Sequence, residues 1–239
     1  MKLHCIHGNL QTKRVWEPLE GRFNSLGLDI SLACEDLSEG NHMGFDQWTQ
    51  EFCKRVERDA AGKKTFLLGY SLGGRLALHA CLARPELWSG VIVVSADPGS
   101  SSPEQKKVQL EKDKQWAERF RSETMDSLLA EWDALPVFSG IPNSVPRNVD
   151  EFNPEGIGRV FDLFSKGCQR DLMPELRESE NPPLLFISGE KDEKYTKRGK
   201  ELAASCPAVR HKIIPNAGHR VPWENPNSFV EEILRFMRS

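Results

Sequence analysis

The sequence predicts an α/β fold: a mostly parallel sheet flanked by helices, interrupted by one helical insertion. Short apolar runs of strand length alternate with amphipathic helical stretches, the pattern of a parallel sheet covered on both faces. One long interval, from about Asp97 to Glu180, breaks that alternation with helical spacing and no strand pattern.

The elements follow in order. KLHCIHG (2–8) reads as a short buried strand ending in a glycine turn, and LDISLACEDL (28–37) as a second strand leading to a loop. In FDQWTQEFCKRVERDA (45–60), Phe45, Trp48, Phe52 and Val56 are spaced by three and four, which predicts an amphipathic helix. KTFLLG (64–69) is a strand, and SLGGRLALHACLARPE (71–86) a helix with Pro85 just past its end. GVIVVSAD (90–97), PPLLFISG (182–189) and VRHKIIPNAG (209–218) are strands. The tail, NPNSFVEEILRFMRS, places Phe229, Val230, Ile233, Leu234 and Met237 on one helical face. The interval opens with a polar loop, DPGSSSPEQKK (97–107). Then come a charged helix (VQLEKDKQWAERFRS), SLLAEWDALPVF, a Pro/Asn-rich linker and the helical GIGRVFDLFSKG. The expected organisation is a core of residues 1–97 and 181–239, with 98–180 inserted as a helical cap.

The bulk properties narrow the function classes. A chain of 239 residues, 38% hydrophobic, is long enough to bury one sizeable core. A net charge of -3 and no long basic block give no electrostatic reason to expect nucleic acid. Cys5, Cys34, Cys53, Cys81, Cys168 and Cys206 are scattered without a CxxC pair, so neither a zinc site nor a disulfide framework is indicated. Reduced cysteines in a cytoplasmic protein are the expectation. The opening MKLHCIHG reads as strand and turn rather than signal peptide, and the apolar runs are too short to span a bilayer. The expected partner is therefore a small molecule, not a membrane or nucleic acid, and the chain a monomer or small homo-oligomer. No cofactor is expected.

Residues 69–73 spell G-Y-S-L-G at a strand-to-helix junction, the context a nucleophile elbow requires. A serine in so tight a turn has a strained backbone, and glycines at 69 and 73 remove side chains that would clash with strand and helix. The turn lifts the Ser71 hydroxyl clear of the sheet at a helix N-terminus, with the Leu72 N–H directed at the reacting oxygen. A serine hydroxyl needs a base in contact and an acid to orient that base, in the chain order Ser, acid, His. Asp192 follows the strand PPLLFISG, and His219 follows HKIIPNAG directly. Both sit past C-terminal strand ends, where open α/β sheets assemble their sites. Glu190, Glu193 and Asp97 compete with Asp192 for the acid role, and a turn or helix-cap role is its alternative. The second oxyanion donor is expected from the loop after the first strand, assigned to the Asn9 N–H, with His7 structural. His4, His42, His79 and His211 show no partner pattern, which leaves no metal site.

On these residues the chain resembles the α/β-hydrolase superfamily over its whole length: the elbow, the HG loop, the acid loop and the terminal GH loop all match. Ser71 separates it from haloalkane dehalogenases and epoxide hydrolases, which carry aspartate there. GYSLGGRLALH, the cap words DKQWAERFR and EWDALPVF, SGEKDEKY and NAGH…ENP are similar to the MenH family, the 2-succinyl-6-hydroxy-2,4-cyclohexadiene-1-carboxylate synthases of menaquinone biosynthesis. That resemblance implies substrate-binding roles for Tyr70, Arg75 and Trp132. It also implies a reaction in which the triad base starts a proton abstraction and pyruvate is eliminated without addition of water. The carboxylates of such a substrate call for arginines, which grip them bidentately. Here the sequence departs from the family: the positions of two further cap arginines hold Gln109 and Asn153, with Lys106, Lys107, Arg147 and Arg159 as substitutes to be placed. The alternative function is hydrolysis of a carboxylic ester or thioester through an acyl-enzyme on Ser71. A non-catalytic binding module on the same fold would require a missing or misplaced triad member, and the sequence shows all three.

Overall fold

The structure is a computed structural model that describes residues 1–39, 44–60, 62–145, 147–178 and 180–239. Six strands form one sheet in the order β2-β1-β3-β4-β5-β6. They are β1 (Lys2–Ile6), β2 (Ser31–Glu35), β3 (Thr65–Tyr70), β4 (Gly90–Val94), β5 (Leu184–Gly189) and β6 (Val209–Ile214), and every pairing is parallel. The helices are α1 (Glu17–Ser25), α2 (Phe45–Ala60), α3 (Leu72–Ala83), α4 (Pro103–Ser122), α5 (Met125–Asp133), α6 (Pro154–Leu163), α7 (Met173–Leu176), α8 (Glu193–Ser205), α9 (Val221–Glu224) and α10 (Pro226–Arg238). All six predicted strands form.

Strand periodicity builds two cores at once. Leu67 of β3, Val91 and Val93 of β4, and Leu184 and Phe186 of β5 face the side covered by α2, α3 and α8. The alternate residues Phe66, Leu68, Ile92, Val94, Leu185 and Ile187 pack against Phe23 of α1 and Phe229 and Ile233 of α10. This is why the central strands read as continuous apolar runs. Edge strand β6 is different: Arg210 and Lys212 stand on its exposed positions, which blunts an edge open to pairing.

Between β4 and β5, α4 to α7 form without an intervening strand among the described residues. Helix α4 starts earlier than its charge pattern predicts, inside the polar loop. Ser102 caps it by accepting from the Gln105 N–H, and Pro103 occupies the first turn, where its missing N–H costs nothing. These helices have their own small core of Ala117, Phe120, Leu128, Leu129, Ile157 and Phe161. One residue from outside joins it: Leu10, from the loop after β1, held at φ 54°. Helix α1 has no counterpart in the sequence reading, because Pro18 and Gly21 interrupt a stretch with only Leu19 and Phe23 buried.

Candidate functional site

Ser71 sits between β3 and α3 with φ 52° and ψ −109°, a conformation that strains any residue with a Cβ. The surroundings hold it there. Its own N–H continues the ladder to the Val94 carbonyl (2.9 Å), and its carbonyl accepts the Arg75 N–H (3.1 Å). A Cβ on Gly69 would fall on the Gly73 carbonyl, and one on Gly73 on the Ile6 carbonyl, both well inside 3.0 Å. No larger residue fits at either position while strand, turn and helix stay this close.

His219 follows β6 and Asp192 follows β5, and the fold brings both to Ser71. His219 Nδ1 lies 2.8 Å from Asp192 Oδ2, and Nε2 lies 3.3 Å from Ser71 Oγ. An ionised carboxylate only accepts, so Nδ1 carries the proton and the Nε2 lone pair faces the serine hydroxyl. Burial drives the His219 pKa below that of an ordinary imidazole, and the charges of Lys166 and Arg220 push the same way; Asp192 opposes them. A neutral imidazole in contact with a hydroxyl is what a general base requires. Asp192, 3% exposed, divides its oxygens: Oδ2 orients the histidine, while Oδ1 caps α8 by accepting the Tyr195 N–H (3.2 Å). Its helix-cap role and its histidine contact thus coexist. Two of the competing acids are engaged elsewhere, and the third faces solvent. Glu190 accepts the Asn216 N–H, Asp97 pairs with Arg198 at 3.5 Å, and Glu193 is exposed.

These groups open onto a pocket of about 350 Å³ lined by Asn9, Tyr70, Arg75 and Trp132, among others. Among the described residues, neither the Asn9 N–H nor the Leu72 N–H has a protein acceptor. His7 is structural: Nδ1 lies 2.7 Å from the Gly8 carbonyl and Nε2 accepts the Leu37 N–H. Tyr70 packs edge-on to Trp223 and 5.5 Å from the His219 ring, so it both fills the elbow and lines the pocket. Arg75 is no surface arginine. It is 4% exposed, has no salt bridge among the described residues, and donates from Nη1 to the Phe164 carbonyl (2.8 Å). Trp132 lines the pocket and also packs against Trp116 and Phe161, edge-on at 5.4 and 5.5 Å.

The two positions that depart from the family differ in fate. Gln109 lines the pocket and donates to Asp113 (2.8 Å), whereas Asn153 caps α6, accepting from Glu155 and Gly156, and lies outside the pocket lining. Of the proposed substitutes, Lys106 lines an adjoining cavity. Arg147 pairs with Asp133 and lines a separate cleft, and Lys107 and Arg159 line neither the pocket nor that adjoining cavity. The pocket cations that sequence reasoning missed are Lys112, Lys166 and Lys194. The signal for the α4 wall was available: Gln109, Lys112 and Trp116 fall at helical spacing on one face. Nothing in S-K-G distinguishes Lys166 from a surface lysine.

The remaining histidines lie apart from this site. His4 and His79 are buried among aromatic rings, and burial lowers their pKa values to about 4 and about 3. His211 bonds Ser188, and His42 lies outside the described residues. Among the described residues, no cluster of three or more His, Cys, Asp or Glu is placed to hold a metal, and no helix is long and apolar enough to cross a membrane.

The alpha/beta hydrolase family profile matches residues 5–232. The chain is 30% identical to the 2-succinyl-6-hydroxy-2,4-cyclohexadiene-1-carboxylate synthase of Serratia proteamaculans (strain 568), over 97% of this chain and 91% of that protein. It is also 30% identical to the synthase of the same name from Escherichia coli O1:K1 / APEC, over 82% of this chain and 76% of the relative. Among solved structures, MenH from S. aureus superposes with a TM-score of 0.89 at 23% identity, covering 100% of this chain and 93% of that one. A thermophilic esterase from Thermogutta terrifontis superposes with a TM-score of 0.81 at 19% identity, over 100% and 89% of the two chains. The structural likenesses speak to fold alone, while the family profile and the curated relatives go further: the chain belongs to the alpha/beta hydrolase family, as a MenH-like enzyme within it.

Proposed function

We propose that the chain eliminates pyruvate from the cyclohexene carboxylate precursor of menaquinone biosynthesis. The product would be 2-succinyl-6-hydroxy-2,4-cyclohexadiene-1-carboxylate, for which the Serratia and E. coli relatives are named. The observation that carries this reading is the Ser71–His219–Asp192 chain opening onto a pocket whose buried Arg75 has no salt bridge among the described residues. In this reading residues 98–180 act as the cap over the site, and the six free cysteines favour a reducing, cytoplasmic setting.

The chemistry follows from the geometry. His219 Nε2 draws the proton from Ser71 Oγ, and the serine oxygen takes a proton from a ring carbon of the substrate. The C–H electron pair becomes the new ring double bond. The C–O bond to the three-carbon side group breaks, and its electron pair departs with pyruvate as the enolate. The proton held by His219 then returns to the leaving group. Negative charge that develops on a substrate oxygen falls to the N–H groups of Asn9 and Leu72. Asp192 keeps the imidazole in the required tautomer and stabilises its cation. Arg75, fixed by the Phe164 carbonyl, holds a substrate carboxylate beside the serine.

The test is to incubate the protein with the precursor and follow pyruvate release, with Ser71→Ala as control. Serine-dependent release is expected, and the substitution should cost about three or more orders of magnitude in kcat while the fold persists. No release from a folded protein that still reacts with a fluorophosphonate would overturn the reading in favour of an ester hydrolase.

A further inference from the structure

Beside the serine pocket lies a second cavity of about 270 Å³, and Gln109, Lys166 and Lys194 line both. The two spaces therefore adjoin along that strip. Lys106 and Arg198 add two more cations to the side chamber, against one carboxylate, Asp97, which stands 3.5 Å from Arg198 and is matched by it. Among the described residues, Lys106, Lys166 and Lys194 have no salt-bridge partner.

Lys166 is the most telling of the three. Its Nζ lies 3.0 Å from the Tyr195 hydroxyl and 5.6 Å from the centre of that ring, and the Lys194 ammonium lies 5.0 Å from the same centre. Burial and the charge of Arg75 hold its pKa below that of an ordinary lysine, which marks an ammonium drawn out of water beside another cation. Asp97 and Asp113 are the acids that act on it, but neither pairs with it among the described residues: Asp97 faces Arg198, and the Asp113 oxygens serve Gln109 (2.8 Å) and Ser165 (2.7 Å). In a chain of net charge -3, cations so placed and so unmatched fit an anion supplied from outside.

We propose that this side chamber is a carboxylate subsite, in which Lys166, Lys194 and Lys106 take a second carboxylate of the substrate whose first is held by Arg75 beside Ser71. The proposal rests on the preceding reading, since the product named for the relatives bears both a ring carboxylate and a succinyl carboxylate. It relocates the anion-binding task from the expected cap positions, where Gln109 is neutral and Asn153 caps a helix, to lysines at the junction of two cavities. Lysines are compact charges on flexible stems, so this subsite recognises charge more than planar orientation.

The probe is succinate, titrated calorimetrically into the whole protein at low ionic strength, with succinamide as the uncharged counterpart. Succinate should bind and succinamide should not. Lys106→Met, which touches only the side chamber, should weaken succinate about threefold, and Lys166→Met about tenfold. Lys107→Met, which lines neither cavity, should leave affinity unchanged. With the precursor, Lys106→Met should raise KM with kcat within about twofold. The proposal is overturned by absence of succinate binding to the wild type. It is equally overturned if Lys106→Met and Lys166→Met, or the milder Lys166→Gln should Met disturb folding, bind succinate like the wild type. Lysine-dependent succinate binding without pyruvate release would sink the assigned reaction and leave the subsite standing. Pyruvate release with succinate affinity and KM indifferent to the lysines would do the reverse.

Discussion

The elbow around Ser71 and the pocket wall facing it are held by different forces. On the elbow side the constraint is backbone against backbone: Gly69 and Gly73 lie where any Cβ would strike a carbonyl. The facing wall is side chain against side chain, an aromatic cluster in which Phe120 stacks on Phe161 at 5.4 Å and on Trp116 at 5.6 Å, with Trp132 set edge-on. Backbone contact leaves no room for substitution, whereas packed rings yield by degrees. The proposed nucleophile is thus fixed rigidly, while the pocket wall that faces it is built from parts that tolerate exchange.

That contrast is open to attack. Gly73→Ala should be the most damaging change, about 4 kcal/mol or more, because the Ile6 and His7 carbonyls it meets are strand and loop backbone. Urea unfolding should show the loss, with activity falling alongside. A well-folded, active Gly73→Ala enzyme would mean that the elbow is not held as described. Phe120→Ala in the facing wall should cost about 3 kcal/mol and raise KM more than it lowers kcat. An equal loss in both kinetic terms would erase the distinction between the two sides.

Acid should weaken the sheet side. His4 on β1 and His79 on α3 have folded pKa values of about 4 and about 3, below the ordinary 6.5. The unfolded chain therefore takes up protons first. Their contribution is whole above about pH 6.5 and is lost as pH falls toward the folded values, about 2 kcal/mol per histidine between pH 7 and 5. Urea midpoints at the two pH values measure this, and His79→Gln should remove about 2 kcal/mol of the dependence. The smallest effect is expected at Asn153. Asn153→Ala removes the cap of α6 and should cost about 1 kcal/mol in unfolding experiments with KM unchanged. A raised KM would return that position to substrate binding.

Much of the elbow side was legible in the sequence because its constraints are local. Continuous apolar runs mark the central strands, glycines mark the turn, and chain order brings Asp192 and His219 to strand ends. Choosing Asp192 over Asp97 or Glu190 was legible only as a preference, since all three border strands; the structure separates them by which oxygen reaches the histidine. The facing wall was less legible. Helix α4 reads as a charged surface helix, yet Gln109, Lys112 and Trp116 face the pocket, because α6 packs along one side of it and turns that stripe inward. Lys166 draws its meaning from Arg75 and Tyr195, distant in sequence, and no local pattern encodes that meeting.

The order of strands in the sheet bears on how activity dies. Ser71 hangs between β3 and α3, and β3 is bonded on one flank to β1 and on the other to β4. His219 hangs from β6, which among the described residues has a single neighbour, β5. Strands held by one ladder fray at lower free energy than strands held by two. Partial opening of that edge would withdraw the imidazole while the serine stays seated. Loss of turnover on warming therefore acts as a local thermometer for the last strand, reading the departure of one edge before the sheet melts.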